Sequence, residues 1–337
     1  MRLFLIGFGT VGQSLAELLL QRAEDLRTRH NFVPALVGVY TRSQGLLYAP
    51  EGLDLAQLRA CAANYALYDG PRLHDSQPNI DRALRDYAYD VLIEASTTDL
   101  RTGQPAADRI ERALTSGKHV VTVNKGPIAL YYPRLRDLAR EKGVHLRYEG
   151  TVMAGTPSIA LALEGLAAAH IRGLRGILNG TTNYMLTQME QESLSYDQAL
   201  AQAQALGYAE ADPTADVDGW DAAGKASILS AALFGAPRAP QTMSVSGIGH
   251  LTLDDLAQAR AQDKRYKLVV RLTPEAGQVR AEALPLSDPL ASVMGALNAI
   301  TLETDLLGEV TLIGSGAGGL STATAILNDL LAIHRAT

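Results

Sequence analysis

The residues best suited to chemistry lie in one run, Glu210-Ala-Asp-Pro-Thr-Ala-Asp-Val-Asp-Gly-Trp-Asp-Ala-Ala-Gly-Lys225, which holds five carboxylates and one lysine. Asp221 and Lys225 are four residues apart, so on a helix they share a face. Glu210, Asp212 and Asp216 precede that helix on a proline-containing loop. Carboxylates grouped this way suit a small substrate with an amino group, and a lysine among them can move a proton. An exposed Asp–Lys pair at this spacing contributes only about 0.3–0.5 kcal/mol, so a surface pair is the competing reading. The apolar company of Trp220, Ala222, Ala223, Ile228 and Leu229 favours burial.

A second motif opens the chain. Gly7-x-Gly9-x-x-Gly12 follows the apolar run Leu3–Ile6 and leads into helical spacing at Val11, Leu15, Leu18 and Leu19. A strand, a glycine turn and a helix in that order form a dinucleotide-binding fingerprint, with the pyrophosphate at the helix N-terminus. Thr10 and Val11 sit on that turn. After the second strand, Pro34–Tyr40, the position of an acid that would hold a ribose hydroxyl reads Tyr40-Thr41-Arg42-Ser43. Arg42 suits a 2′-phosphate, hence NADP, and is equally readable as a solvated surface arginine, which leaves NAD open. Ser96 and Thr97 follow the strand Asp90–Ala95, and Lys125 follows His119–Val123, both at carboxyl ends where ligands of open α/β sheets lie.

Two further segments offer ligands. Glu149-Gly-Thr-Val-Met-Ala-Gly-Thr156 sets one carboxylate among free carbonyls, as a hard cation requires. From spacing alone a tight strand-to-helix bend explains it better. Asn179-Gly-Thr181-Thr-Asn ends a strand and begins a helix, where amides, hydroxyls and free N–H groups can bind a carboxylate or cap the helix.

These groups require a scaffold of two parts. At 337 residues with 47% hydrophobic content, the chain predicts two domains. Strands alternate with helices (Val11–Arg27, Ile80–Tyr87, Arg109–Ser116, Tyr132–Lys142) over residues 1–150, which predicts a doubly wound parallel α/β sheet. Residues 314–337, a glycine loop and the helix Ser321–Ile333, return to that layer. Residues 151–313 read as α+β, with helices at Ser158–Ala169, Thr181–Glu192 and one opened by a Ser195/Gln198 capping box, and strands at Leu174–Leu178, Lys267–Leu272, Val279–Leu284, Ala299–Glu303 and Val310–Ile313.

A net charge of −6 argues against a nucleic-acid partner. No apolar run is long enough to span a bilayer. The lone Cys61 excludes an intrachain disulfide and fits a cytoplasmic setting. Seven scattered histidines give no zinc-spaced pair.

Taken together, Gly7–Gly12, Thr122-Val-Asn-Lys125, Glu149–Gly155, Gly176-Ile-Leu-Asn-Gly-Thr-Thr-Asn-Tyr184 and Leu206-Gly-Tyr-Ala-Glu-Ala-Asp-Pro…Asp-Ala-Ala-Gly-Lys225 resemble homoserine dehydrogenase over nearly the whole chain. The resemblance implies NAD(P)H-dependent interconversion of L-aspartate 4-semialdehyde and L-homoserine, in threonine and methionine synthesis, by a cytoplasmic homodimer built through the second domain. It implies Lys225 as acid/base, Lys125 near cofactor and substrate, and Asp221 beside the substrate hydroxyl. Glu210 falls on the ligand of the amino group, and Asp216, Gly150, Thr151, Asn179 and Thr181 line the substrate. Thr10, Val11, Ser96, Thr97 and Gly316 join Gly7, Gly9, Gly12 and Arg42 at the cofactor. Glu149 and the carbonyls of Val152, Ala154 and Thr156 fall on a sodium site. Neither a kinase domain nor a regulatory domain is expected. Ser321 stands where this family often has proline and can cap the last helix instead. An aspartate dehydrogenase of similar layout lacks the Glu210–Lys225 run, and a non-catalytic NADP sensor needs no paired lysines.

Overall fold

A computed structural model describes residues 1–337. The chain divides into two compact units, Met1–Gly155 with Gly318–Thr337, and Thr156–Ala317.

The first unit is a seven-stranded sheet. Strands β1 (Arg2–Ile6) and β2 (Ala35–Thr41) are followed by β3 (Gly45–Tyr48), β4 (Leu73–Asp75), β5 (Val91–Glu94), β6 (His119–Thr122) and β7 (Leu146–Arg147). Their order is β4-β3-β2-β1-β5-β6-β7. The five strands from β2 to β7 in that order are parallel, while β3 and β4 add an antiparallel ribbon to the edge of β2. The apolar runs at Leu3–Ile6 and Val91–Ile93 are almost fully buried because helices cover both faces. Leu15 and Leu19 of the helix Thr10–Gln21, with Ile326 and Leu330 of the helix Gly319–Ala336, cover one face. Ile110 and Leu114 of Ala106–Thr115, with Leu135 of Lys125–Glu141, cover the other. Each such side chain contributes about 1.5–3 kcal/mol on burial, so truncating Leu5 or Ile93 to alanine would be among the costliest changes here.

The second unit holds β8 (Ile171–Ile177), β9 (Ser244–Val245), β10 (Lys264–Leu272), β11 (Gly277–Pro285), β12 (Leu297–Thr304) and β13 (Gly308–Ser315). Their order is β13-β12-β8-β10-β11-β9. The hairpins β10/β11 and β12/β13 flank β8, which pairs antiparallel with both β10 and β12. Ile177, Val269, Leu284, Leu290, Val293 and Ala299 form a buried cluster on this sheet.

Three expectations differ from the structure, and one element lies outside them. The helix expected over Val11–Arg27 breaks at Arg22 into Thr10–Gln21 and Ala23–His30. The one expected from Tyr132 begins at Lys125, since Pro127 falls in the first turn, where its missing N–H has no helical partner to lose. The segment expected to be helical over Ser158–Ala169 has one α turn, Ser158–Ala160, and then a π-helix, Leu161–Gly165, closed by a bond from Leu166 N–H to Leu161 O (2.9 Å). Over five residues a side-chain pattern does not separate i→i+4 from i→i+5 bonding. The β3/β4 ribbon was not expected, because its short strands carry too few residues for a periodic signal.

Candidate active site

In the second unit the reactive groups meet where β8 ends. Asn179 caps the helix Gly180–Gln191, its Oδ1 accepting from Thr182 N–H at 2.9 Å. Its Nδ2 donates to Asp216 Oδ1 at 2.7 Å and to Asp221 Oδ2 at 3.1 Å. Asp221 opens the helix Trp220–Phe234, and Lys225 follows one turn later. Lys225 Nζ donates to Asp221 Oδ2 and to the carbonyl of Leu178, each at 2.7 Å. The lysine is 6% exposed, so this is a partly desolvated pair rather than a surface bridge. Thr181 Oγ1 donates to Tyr208 O (2.6 Å) and to Asp216 Oδ2 (3.2 Å).

Asp216 lies on the short helix Thr214–Val217. Burial, reinforced by the neighbouring Asp221, pushes its carboxyl above the usual range, against the pull of Asn179, Thr181 and Lys225. Asp216 and Asp221 face the single ammonium of Lys225, so an added ammonium would oppose both causes. Glu210 is exposed, with its carbonyl held by Gln204 Nε2 at 3.1 Å. Lys225 Nζ reaches Asp221 and the Leu178 carbonyl rather than the Glu210 carboxylate. Asp212 accepts from Thr214 N–H (3.1 Å) in an exposed turn.

In the first unit the three glycines answer three needs. Gly7 has φ +95°, and a Cβ there would sit 2.4 Å from Ala95 O. Gly9 caps the helix Thr10–Gln21 and faces open space, as close approach of a pyrophosphate requires. A Cβ on Gly12 would sit 2.5 Å from Gly7 O. Thr10 and Val11 begin the helix, so their N–H groups belong to the unpaired first turn. Arg42 is exposed in the turn joining β2 to β3. Ser96 and Thr97 follow β5, and Asn124 Nδ2 donates to the carbonyls of both at 3.3 Å. Lys125, half-buried, is the first residue of its helix.

The remaining expected residues divide between the units. Glu149–Thr151 is one buried 3₁₀ turn, with Glu149 N–H donating to Asp329 Oδ2 at 3.0 Å. Gly150 packs so that a Cβ would lie 2.6 Å from Val123, and Thr151 Oγ1 donates to Tyr148 O at 2.7 Å. Ala154 has φ +47°, a left-handed conformation uncommon outside glycine. Thr156 Oγ1 donates to Ser315 O at 2.9 Å. Gly316 belongs to the second unit, where a Cβ would sit 2.0 Å from the Asn298 carboxamide carbon. Sequence reasoning missed Leu178 O and Tyr208 O, main-chain acceptors that carry no side-chain signal. It also missed Asn298, fully buried with both amide atoms unpaired.

A glycine-turn dinucleotide layer and a separate unit bearing a carboxylate-held lysine define an NAD(P)-dependent oxidoreductase. The family model "Homoserine dehydrogenase, NAD binding domain" matches residues 7–149, and "Homoserine dehydrogenase" matches residues 157–331. The chain is 43% identical over 340 residues to the NAD(+)-dependent homoserine dehydrogenase of Pseudomonas canavaninivorans, covering 99% of this chain and 96% of that one. It is 37% identical to the homoserine dehydrogenase of Methanocaldococcus jannaschii, covering 100% and 99%. A crystal structure of a putative homoserine dehydrogenase from Archaeoglobus fulgidus superposes with TM-score 0.90 at 35% identity, covering 99% of each chain. A hyperthermophilic archaeal homoserine dehydrogenase in complex with NADPH superposes with TM-score 0.84 at 29% identity, covering 100% and 98%. The chain belongs to the homoserine dehydrogenase family. No helix is long and apolar enough to cross a membrane.

Proposed function

We propose that this chain interconverts L-homoserine and L-aspartate 4-semialdehyde with Lys225 as the acid/base. The carrying observation is the buried Lys225 ammonium, held between Asp221 and Leu178 O, with Asn179 tying Asp221 to Asp216. Two of the three N–H groups of Lys225 are engaged, and the third is assigned to the substrate oxygen. The nicotinamide ring, when bound, supplies the hydride chemistry. In the reductive direction Lys225 delivers a proton to the carbonyl oxygen as it becomes a hydroxyl, and in the oxidative direction the hydroxyl proton returns to the lysine. Asp221 fixes the lysine in place. Asp216 is assigned to the α-ammonium, which would compensate its buried charge. Glu210 joins it there on the family resemblance, as does Lys125 at the cofactor.

The cofactor preference we assign is NADP. No acid follows β2, and Arg42 is exposed beside Thr41 and Ser43. NAD is the second reading, favoured by the name of the Pseudomonas relative. A monovalent cation held by Glu149, the Val152 and Ala154 carbonyls and Thr156 belongs to the same proposal. One carboxylate among carbonyls is a hard-cation donor set, and the left-handed Ala154 re-aims the chain within it. A homodimer through the second unit is supported by the exposed Leu297, Leu306, Leu307 and Ile313 of the β12/β13 hairpin. Turnover of homoserine against aspartate, with NADP and then NAD, tests the reading. Oxidation of aspartate but not homoserine would refute it.

A further inference from the structure

Glu94 ends β5 in the middle of the first unit's sheet and is fully buried, yet no step above uses it. One carboxylate oxygen, Oε1, accepts from the backbone N–H of Ser96 at 2.9 Å and from the Ser96 hydroxyl. The carbonyls of Ser96 and Thr97 are held by Asn124 Nδ2. Side chains therefore fix this segment through both its donors and its acceptors. On a further side lies the glycine turn, since a Cβ on Gly7 would come within 2.8 Å of Ser96 N.

The other oxygen, Oε2, has no hydrogen-bond partner. Its nearest cation is Arg109 Nη1 at 3.9 Å. The Arg109 guanidinium lies 5.3 Å from the ring centre of Tyr40, and the Tyr40 carbonyl accepts the Gly7 N–H at 2.9 Å. A chain of contacts, Glu94 to Arg109 to Tyr40 and from the Tyr40 carbonyl to Gly7, thus runs across the ends of β5, β2 and β1, the three strand ends where a dinucleotide lies in a sheet of this kind. Burial pushes the Glu94 carboxyl up, which favours the neutral acid. A leucine would fill the same space without stranding a polar oxygen, so packing alone does not account for a glutamate here.

We propose that Glu94 is a positioning residue for the cofactor. It sets the Ser96–Thr97 segment and, through Arg109 and Tyr40, the glycine turn before the dinucleotide arrives. The proposal rests on assigning Ser96 and Thr97 to the cofactor. Glutamine at 94 retains the bulk and an oxygen that accepts both Ser96 hydrogens. Methionine retains the bulk and loses both bonds.

The test is calorimetric titration of the full chain with NADP and with NAD, alongside thermal melting and the homoserine KM. Glu94→Met should raise the cofactor Kd by about tenfold or more, the loss of two hydrogen bonds to the segment. Glu94→Gln should stay within roughly threefold of wild type, less than one lost hydrogen bond. The homoserine KM at saturating cofactor should move by less than about twofold in both. Arg109→Met, which leaves the Ser96 bonds intact, should raise the cofactor Kd by roughly threefold, as for one weak contact. The proposal is overturned by a Glu94→Met protein that binds cofactor like wild type, by Glu94→Gln losing as much as Glu94→Met, or by a homoserine KM that rises in step with the cofactor Kd. If Glu94→Met does not fold, an unchanged Kd in Arg109→Met overturns it. A wild-type chain that binds neither dinucleotide overturns the cofactor assignment itself.

Discussion

Asn179 does two jobs with two different atoms, and they can be separated. Its Oδ1 caps the helix Gly180–Gln191, while its Nδ2 bridges Asp216 and Asp221. Serine at 179 retains a capping oxygen and loses the bridge; alanine loses both. Loss of an N-cap costs about 0.5–2 kcal/mol, so Asn179→Ala should melt a few degrees lower than Asn179→Ser. Hydrogen bonds to charged groups are worth about 1.5–3 kcal/mol, and water can reach one of these half-buried carboxylates in place of the amide. A net loss of one such bond corresponds to roughly a 10- to 150-fold fall in kcat/KM for homoserine. Without the amide between them the two carboxylates repel more strongly, so the carboxyl of Asp216 rises further. The assay is steady-state oxidation of homoserine at saturating cofactor, with melting curves for the three proteins. If Asn179→Ser keeps wild-type kcat/KM while only Asn179→Ala loses activity, in proportion to its melting temperature, then Asn179 is a helix cap and its bridge to the carboxylates is catalytically idle.

Four other outcomes follow from the same geometry. Arg42→Ala should weaken NADP by roughly tenfold or more, as for a lost charge-assisted bond, and leave NAD nearly unchanged; equal small effects on both Kd values would make Arg42 a surface residue. Because the Asp216 carboxyl is raised and its ionised form is the one that attracts an ammonium, the homoserine KM should climb as pH falls through that pKa, and Asp216→Asn should abolish this limb; an unaltered profile in the variant would assign the limb elsewhere. Lys267, fully buried against Asn183 Oδ1 (2.8 Å) and the Val293 carbonyl, with Arg265 and Glu190 nearby, is pushed down to about 7 from 10.5, chiefly by burial. The unfolded chain then holds more protons than the folded one between these two pH values, so stability should increase with pH across that window by up to about 1.4 kcal/mol per unit. Urea midpoints of Lys267→Met should lack that slope, and an identical slope in the variant would contradict the assignment. Glu210→Gln should raise the homoserine KM several-fold without moving cofactor affinity, and no change would leave Glu210 a solvated loop residue.

The sequence reveals those parts of the site whose residues are close along the chain. Gly7, Gly9 and Gly12 lie within one turn, where Gly7 and Gly12 have no room for a Cβ and Gly9 faces open space. Asp221 and Lys225 are one helical turn apart, so their pairing follows from periodicity. What brings Asn179 to Asp216 and Lys225 to Leu178 O is the packing of helices against β8, across 37 and 47 residues, and no local pattern encodes it. Glu210 shows the converse. It is adjacent in sequence to the cluster, yet it lies on an exposed loop, outside the hydrogen bonds that join Asn179, Asp216, Asp221 and Lys225. Glu94 was hidden for a third reason, since it reads as the last residue of an apolar strand, and only the fold brings Arg109 to its carboxylate and the glycine turn to Ser96.

The proposed reaction depends above all on Lys225 moving the proton. The most direct measurement is the turnover of homoserine by Lys225→Ala, with cofactor affinity determined on the same protein. A general acid/base is typically worth about 10²–10⁴-fold, so kcat should fall by that factor while the dinucleotide Kd stays within about twofold. A Lys225→Ala protein that retains more than about half of wild-type turnover, far above that range, would contradict it.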